Sequence, residues 1–296
     1  MMTMSRFESA RLVVLAVAGL TAIALSEMLG DGISWQLWFM VPLVALLGLP
    51  HGCLDLAIAQ RLRPLPDIRS ILTFVLVYLA LASVVLGIWW LAPGIALALF
   101  LGYSALHFSG DWREMLPGLR ALPPGLVIVA IPAVAHHAET LVILSYLAPA
   151  DWAQSLTDGM ASIALLMGPL ALCLLLYHRA HWWVIVEFVG LVVLGLLTPP
   201  LVYFTLYFCL SHSPKHLRDT GLALALNARD MLIRAAPIWA VTILGALVAY
   251  LALPGTPEAA TLQVIFIGLA ALTVPHMLLV EMLWHRHAAS HTNEKN

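Results

Sequence analysis

The sequence predicts an all-α fold: a polytopic transmembrane helix bundle of about ten spans with both termini in the cytoplasm. Three observations predict it. The 296 residues are 62% hydrophobic and only 10% charged, against about 25% charged in soluble domains. Apolar runs of about 20 residues, the length a bilayer core requires, recur from end to end. Arginine and lysine fall in every second loop between those runs.

In order, the spans lie at roughly 11–29, 34–58, 70–92, 94–112, 121–138, 158–178, 182–198, 199–214, 235–253 and 260–284. The first follows Arg6 and Arg11. It is longer than a signal-peptide core of about 7–15 residues and reads as a span. Spans seven and eight meet at Pro199-Pro200 and could instead form a hairpin with a re-entrant portion. Loop two to three holds Arg61, Arg63 and Arg69; loop four to five, Arg113 and Arg120; loop six to seven, Arg179. Loop eight to nine holds Lys215, Arg218, Arg229 and Arg234. The opposite loops hold only acids: Glu27 and Asp31, then Glu139, Asp151 and Asp158, then Glu258. Positive charge stays inside, so an even number of spans and cytoplasmic termini follow.

The segment 219–233 is less apolar and reads as an interfacial amphipathic helix. The whole chain, 1–296, reads as a single integral membrane domain, with the bundle over 11–288 and a polar tail over 289–296. A net charge of −2 offers nothing to nucleic acid. Cys53, Cys173 and Cys209 lie in apolar stretches without a CxxC pair, so they read as small buried hydrophobes.

The 12 histidines fall into groups by depth. His285, His287 and His291 sit in polar tail sequence, and His178 and His181 flank Arg179 in a cytoplasmic turn. His136 and His137 lie about 24 Å of helix from Arg120, at the outer end of span five. Five others lie between the midplane and the inner face. His51 is ten residues before Arg61, His107 six before Arg113, and His276 ten before Arg286, while His212 and His216 bracket Lys215. Ionisable groups inside a membrane are costly and face the bundle interior, which makes them functional candidates. The competing reading, that each merely bonds a neighbouring helix, does not explain one shared depth on four spans.

Two neighbours sharpen the case. Asp55 follows His51 by four residues and Asp111 follows His107 by four, so each pair shares a helix face. Such a carboxylate can accept the imidazole N–H that is turned away from a metal. It can equally serve a histidine on an adjacent helix. Pro50, Pro214 and Pro275 adjoin the same positions, and helix breaks are tolerated where backbone lines a cavity. Ser213-Pro214 could cap a new helix, so the residues alone leave open whether His212 and His216 share one face. Four or five imidazoles without cysteine suit iron, zinc, copper or nickel. A site sunk among apolar helices suits an apolar molecule entering from the bilayer.

Four blocks carry a resemblance: Gly-Leu-Pro-His-Gly-Cys-Leu-Asp (48–55), Ser-Ala-Leu-His-Phe-Ser-Gly-Asp (104–111), Leu-Ser-His-Ser-Pro-Lys-His-Leu (210–217) and Thr-Val-Pro-His-Met-Leu-Leu-Val-Glu (273–281). In this order, on an all-helical membrane chain, they resemble the bacteriorhodopsin-related-protein-like (Brp/Blh) family of β-carotene 15,15'-dioxygenases. One position departs: Leu56 follows the first aspartate, where the family often has a histidine. The resemblance implies a multi-pass inner-membrane enzyme that cleaves β-carotene with O2 into two molecules of all-trans-retinal, which serve rhodopsins. It implies ferrous iron, Fe(2+), held by His51, His107, His212 and His216. His276 would lie near the iron or line the substrate channel, and Asp55 and Asp111 would stand behind the ligands. Tyr103, Phe108, Tyr207 and Phe208 are candidates to pack on a polyene, though such aromatics are more often ordinary bundle packing.

Other readings compete. A di-iron desaturase needs more HxxxH and HxxHH clusters than the one at His212 to His216. A metal or proton transporter would string histidines across the whole membrane depth. A non-catalytic assembly factor for a retinal protein would hold no metal.

Overall fold

The computed structural model describes residues 4–30 and 32–293, with side chains through Leu283. In chain order the helices are α1 (Arg6–Leu29), α2 (Ile33–Leu43), α3 (Asp55–Leu62), α4 (Ile68–Leu91), α5 (Pro93–Ser109), α6 (Leu122–Ala130), α7 (Pro132–Ala135) and α8 (His137–Ser145). They continue as α9 (Ala150–Tyr177), α10 (Trp182–Leu197), α11 (Pro200–Leu206), α12 (Ser213–Leu224), α13 (Ala228–Ala252) and α14 (Pro257–Asn293). No strand occurs among the described residues. In hydrocarbon each segment must satisfy its own N–H and C=O groups, and a helix does so without a partner.

Among the described residues, seven helices are long and apolar enough to cross a bilayer: Arg6–Leu29, Ile33–Leu62, Ile68–Leu91, Pro93–Trp112, Ala150–Tyr177, Ala228–Ala252 and Pro257–Leu283. Gly118–Ala130 and Trp182–Leu197 are shorter apolar helices. These and α11 occupy the remaining three expected stretches. Large apolar side chains point outward from the long helices, Trp38 at 82% and Leu251 at 74% exposure, which suits lipid and not water. Thr21, Ser26, Thr73 and Thr242 return their hydroxyls to the carbonyl four residues back, so none of these hydroxyls is left bare in the apolar phase.

The chain divides into two compact units, one of 1–48 with 93–215, the other of 49–92 with 216–296. In the first, Gly125 lets α6 lie directly on α5: a Cβ there would stand 2.3 Å from the Ala105 carbonyl oxygen and 2.8 Å from the Ser109 nitrogen. Small residues at such crossings are the usual means of close helix approach in membranes. In the second, Ile58, Ala59 and Leu62 of α3 pack with Leu279 and Leu283 of α14, joined by Phe74 and Tyr78 of α4.

The helical ladder changes pitch at or beside two of the histidines, His51 and His212. Val44–Gly48 and Tyr207–His212 are π-helical, and Leu49–Leu54, which holds His51, is a 3-10 helix. Single π turns inside helices are frequent at functional sites. Ser213 continues from the second π turn in α-helical conformation, so His212 and His216 lie on one uninterrupted helical stretch. Pro214 lies where the π turn gives way to α12 and leaves the ladder one N–H short. The Ser213 hydroxyl donates to the Leu47 carbonyl at 2.6 Å, a backbone group in the other π turn.

Two expectations change at the ends of elements. The segment 219–233 is not one helix, because Ala225 turns left-handed (φ 53°) and closes α12 through Leu226 N–H to the Gly221 carbonyl at 2.9 Å. The helix α14 also continues to Asn293, through most of the expected polar tail. Asp31, residues 294–296 and the side chains of His285, His287 and His291 lie outside the described residues.

Candidate metal centre

In the first unit, α5 presents His107, and Asp111 follows in a short 3-10 turn (Gly110–Trp112). The π turn Tyr207–His212 brings His212 beside them. The His107 and His212 rings lie 4.6 Å apart at 72°, and each offers a ligand nitrogen within 4.8 Å of the other. Asp111 reaches across to His212, a histidine far along the chain. Its Oδ1 lies 3.1 Å from His212 Nδ1, and its Oδ2 accepts the Tyr207 hydroxyl at 2.7 Å. An ionised carboxylate only accepts, so Nδ1 carries the proton and Nε2 presents its lone pair. Phe208 lies nearly parallel to the His212 ring (5.9 Å, 14°), and Phe108 meets it edge-on (4.9 Å, 69°). Gly48 permits this, since a Cβ there would stand 2.5 Å from Phe208 Cε1. Tyr103 sits half-buried on α5, one turn before His107.

The second unit repeats the arrangement with other residues. His51 on the 3-10 helix, His216 on α12 and His276 on α14 form a triangle of imidazoles with centroid separations of 5.1, 5.5 and 5.0 Å. Asp55, at the start of α3, again reaches a histidine of another block. Its Oδ1 lies 2.7 Å from His276 Nδ1, and its Oδ2 accepts the Tyr78 hydroxyl at 2.8 Å. His216 Nδ1 lies 3.3 Å from Thr220 Oγ1. His51, Asp55, His212 and His276 are all buried, and His107 and His216 are half-buried.

Both His-x-x-x-Asp spacings therefore place a carboxylate at the centre, and in both the recipient is a histidine far along the chain. Tyr78 and Thr220 were not marked by the sequence reading. Thr220 stands at the same four-residue spacing from His216 that flagged the aspartates. Tyr78 carries no motif and is found only by its contact.

The sequence reading also missed a buried charged cluster beside His212. Glu187 of α10 takes Arg11 through both guanidinium Nη groups, Ser211 Oγ at 2.5 Å, and Lys215 Nζ at 2.9 Å. Lys215 also stands 5.3 Å over the Trp112 ring. Ser211 and Lys215 flank His212, so the cluster grips the π turn on both sides. The signal was present: Glu187 is an acid inside an apolar run, which marks a candidate by itself.

The remaining described histidines stand apart from these two sets. His137 pairs with Asp158 at 2.7 Å on an exposed surface. His181 stacks on Trp183 and His178 meets Tyr177 edge-on, in keeping with interfacial positions.

His51, His107 and His212 offer nitrogens close enough together to hold a metal ion, on a chain with seven helices long and apolar enough to cross a membrane among the described residues. The beta-carotene 15,15'-dioxygenase family profile matches residues 32–284. This chain belongs to the beta-carotene 15,15'-dioxygenase family. A curated relative named beta-carotene 15,15'-dioxygenase, from an uncultured marine bacterium 66A03, is 32% identical over 269 residues, covering 85% of this chain and 95% of the relative. No solved structure matches the chain. The family is one of enzymes, and both sets of oriented imidazoles lie inside the matched span.

Proposed function

We propose that this protein cleaves the central 15,15' double bond of β-carotene with O2 at a non-haem ferrous iron held by His51, His107, His212 and His216. The C15=C15' bond breaks and each carbon takes one oxygen atom, giving two molecules of all-trans-retinal. The observation that carries the metal is the Tyr207–Asp111–His212 relay. It fixes a buried imidazole in the tautomer that presents Nε2, the usual preparation of a metal-ligating histidine. Family membership carries the substrate. The neutral nitrogen donors fit ferrous iron, which accepts imidazole readily. His212 and His216 stand one turn apart on a single helical stretch, a spacing that suits two ligands.

When bound, the iron supplies the redox chemistry that lets O2 react with a closed-shell polyene. The protein's part is placement. Asp111 and Tyr207 orient His212, and Thr220 steadies His216. Phe108, Phe208, Tyr207 and Tyr103 offer aromatic faces near the ligands for the polyene. The burial of Phe108, Tyr207 and Phe208 keeps bulk water from the reacting carbons.

The same reading makes the chain one integral membrane domain of about ten spans, multi-pass in the inner membrane, with both termini cytoplasmic. β-Carotene then enters from the lipid, and the retinal product passes to a rhodopsin. Expression in cells that make β-carotene, followed by retinoid extraction, tests the activity. Loss of carotene with stoichiometric retinal, abolished by His107→Ala, is the expected result. Intact carotene beside folded, iron-loaded protein would overturn it.

A further inference from the structure

We infer that His276 is a fifth protein donor to the iron and not a bystander near it. The inference rests on the reading above, in which His51 and His216 are ligands. Three observations within the second unit carry it.

The first is position. The His51 and His216 rings are 5.1 Å apart, and His276 lies 5.5 Å from one and 5.0 Å from the other. The three rings thus form one compact group.

The second is orientation. His276 Nδ1 is held by Asp55 at 2.7 Å, and Asp55 is held by the Tyr78 hydroxyl at 2.8 Å. His212, a ligand in the proposed reading, has the same set: Asp111 at its Nδ1 and the Tyr207 hydroxyl on that carboxylate. A Tyr–Asp–His relay of this kind fixes the tautomer so that Nε2 faces the metal. A histidine that only lined an apolar channel would gain nothing from a buried carboxylate. A buried carboxylate is costly unless it is paired, and here the pairing holds an imidazole.

The third is the backbone. Pro275 precedes His276 within α14, as Pro50 precedes His51. A proline removes one ladder hydrogen bond and lets the helix bend at that residue. Both prolines stand directly before imidazoles of the same triangle.

Five imidazoles would leave ferrous iron, with about six positions, a single site for exchange where four would leave two. The arrangement thus restricts what else can reach the metal.

The test is a cobalt(II) titration of the purified protein in detergent, comparing wild type, Asp55→Asn and His276→Ala. Asp55→Asn removes only the support, and should weaken binding by about 10–100-fold while keeping the wild-type visible bands. His276→Ala removes a donor. It should change the bands themselves, weaken binding more than Asp55→Asn, and recover both on addition of free imidazole. A folded His276→Ala protein with the wild-type cobalt spectrum overturns the inference. His276→Gln carries the same test if the alanine variant does not fold. If wild type binds neither cobalt nor iron, the iron reading itself fails. Metal-loaded wild type beside an unchanged His276→Ala spectrum sinks only the fifth donor.

Discussion

Asp111 shows how sequence can mark a carboxylate and leave its partner open. The four-residue spacing from His107 marked it, and the structure pairs it with His212 on another element. A carboxylate at i+4 shares its helix face with the imidazole, but the ladder tightens to a 3-10 turn at Gly110–Trp112 and swings Asp111 toward His212. The same holds for Asp55, which starts α3 directly after the 3-10 turn containing His51. Spacing reports a face only while the pitch stays α-helical. Asp111→Asn should therefore act through His212. It keeps the volume and loses the charge that fixes Nδ1–H. Metal affinity should fall by about 10–100-fold, read by competition with a chelator, with His107 as the ligand least affected. A variant with undiminished affinity would show that the relay does not serve the metal.

At the scale of elements, the apolar pattern located the helices well, and it failed where pitch changes. Nothing in Val44–Gly48 or Tyr207–His212 distinguishes a π turn from an α turn by composition, since the difference lies in which carbonyls accept which N–H groups. Close approach was equally hidden. Gly125 is one glycine among 19 in the sequence, yet it alone has a neighbouring helix's backbone within 3.0 Å of the Cβ it lacks. Adding that carbon must push α6 off α5, the helix that bears His107. Gly125→Ala should destabilise the protein by about 1–3 kcal/mol, the usual cost of overpacking. Gly245→Ala, in α13 with open space at that position, should be neutral or stabilising by up to about 1 kcal/mol, the helix preference of alanine. Thermal unfolding of both variants in one detergent compares them directly. Equal midpoints would show that the α5–α6 crossing has slack.

For the whole molecule, composition settled the solvent before any motif was read. A chain with 10% charged residues cannot cover itself in water, and the long helices do expose valine, leucine and tryptophan along their length. The alternation of basic and acidic loops goes further and gives a direction. Reporter fusions at the N-terminus and after Asn296 should both be active only in the cytoplasm. One terminus found outside would change the parity of the spans, and both found outside would move the five histidines to the opposite leaflet. The ionisable residues inside the spans were also legible, but only those in motifs were used. Glu187 and Arg11 lacked a motif and were passed over, although together with Lys215 and Ser211 they hold the segment next to His212.

The crossed partnership of aspartates and histidines has a consequence for anyone who would move this chemistry elsewhere. Each eight-residue block contains a ring and a carboxylate, and it looks self-sufficient. Grafted into another bundle, block 48–55 would bring Asp55 without His276 or Tyr78, and block 104–111 would bring Asp111 without His212 or Tyr207. The transplant would carry two anions whose counterparts stayed behind, 221 and 101 residues away along the chain. The smallest portable piece is thus close to the entire protein, and natural variants should keep or lose these six residues as two sets of three.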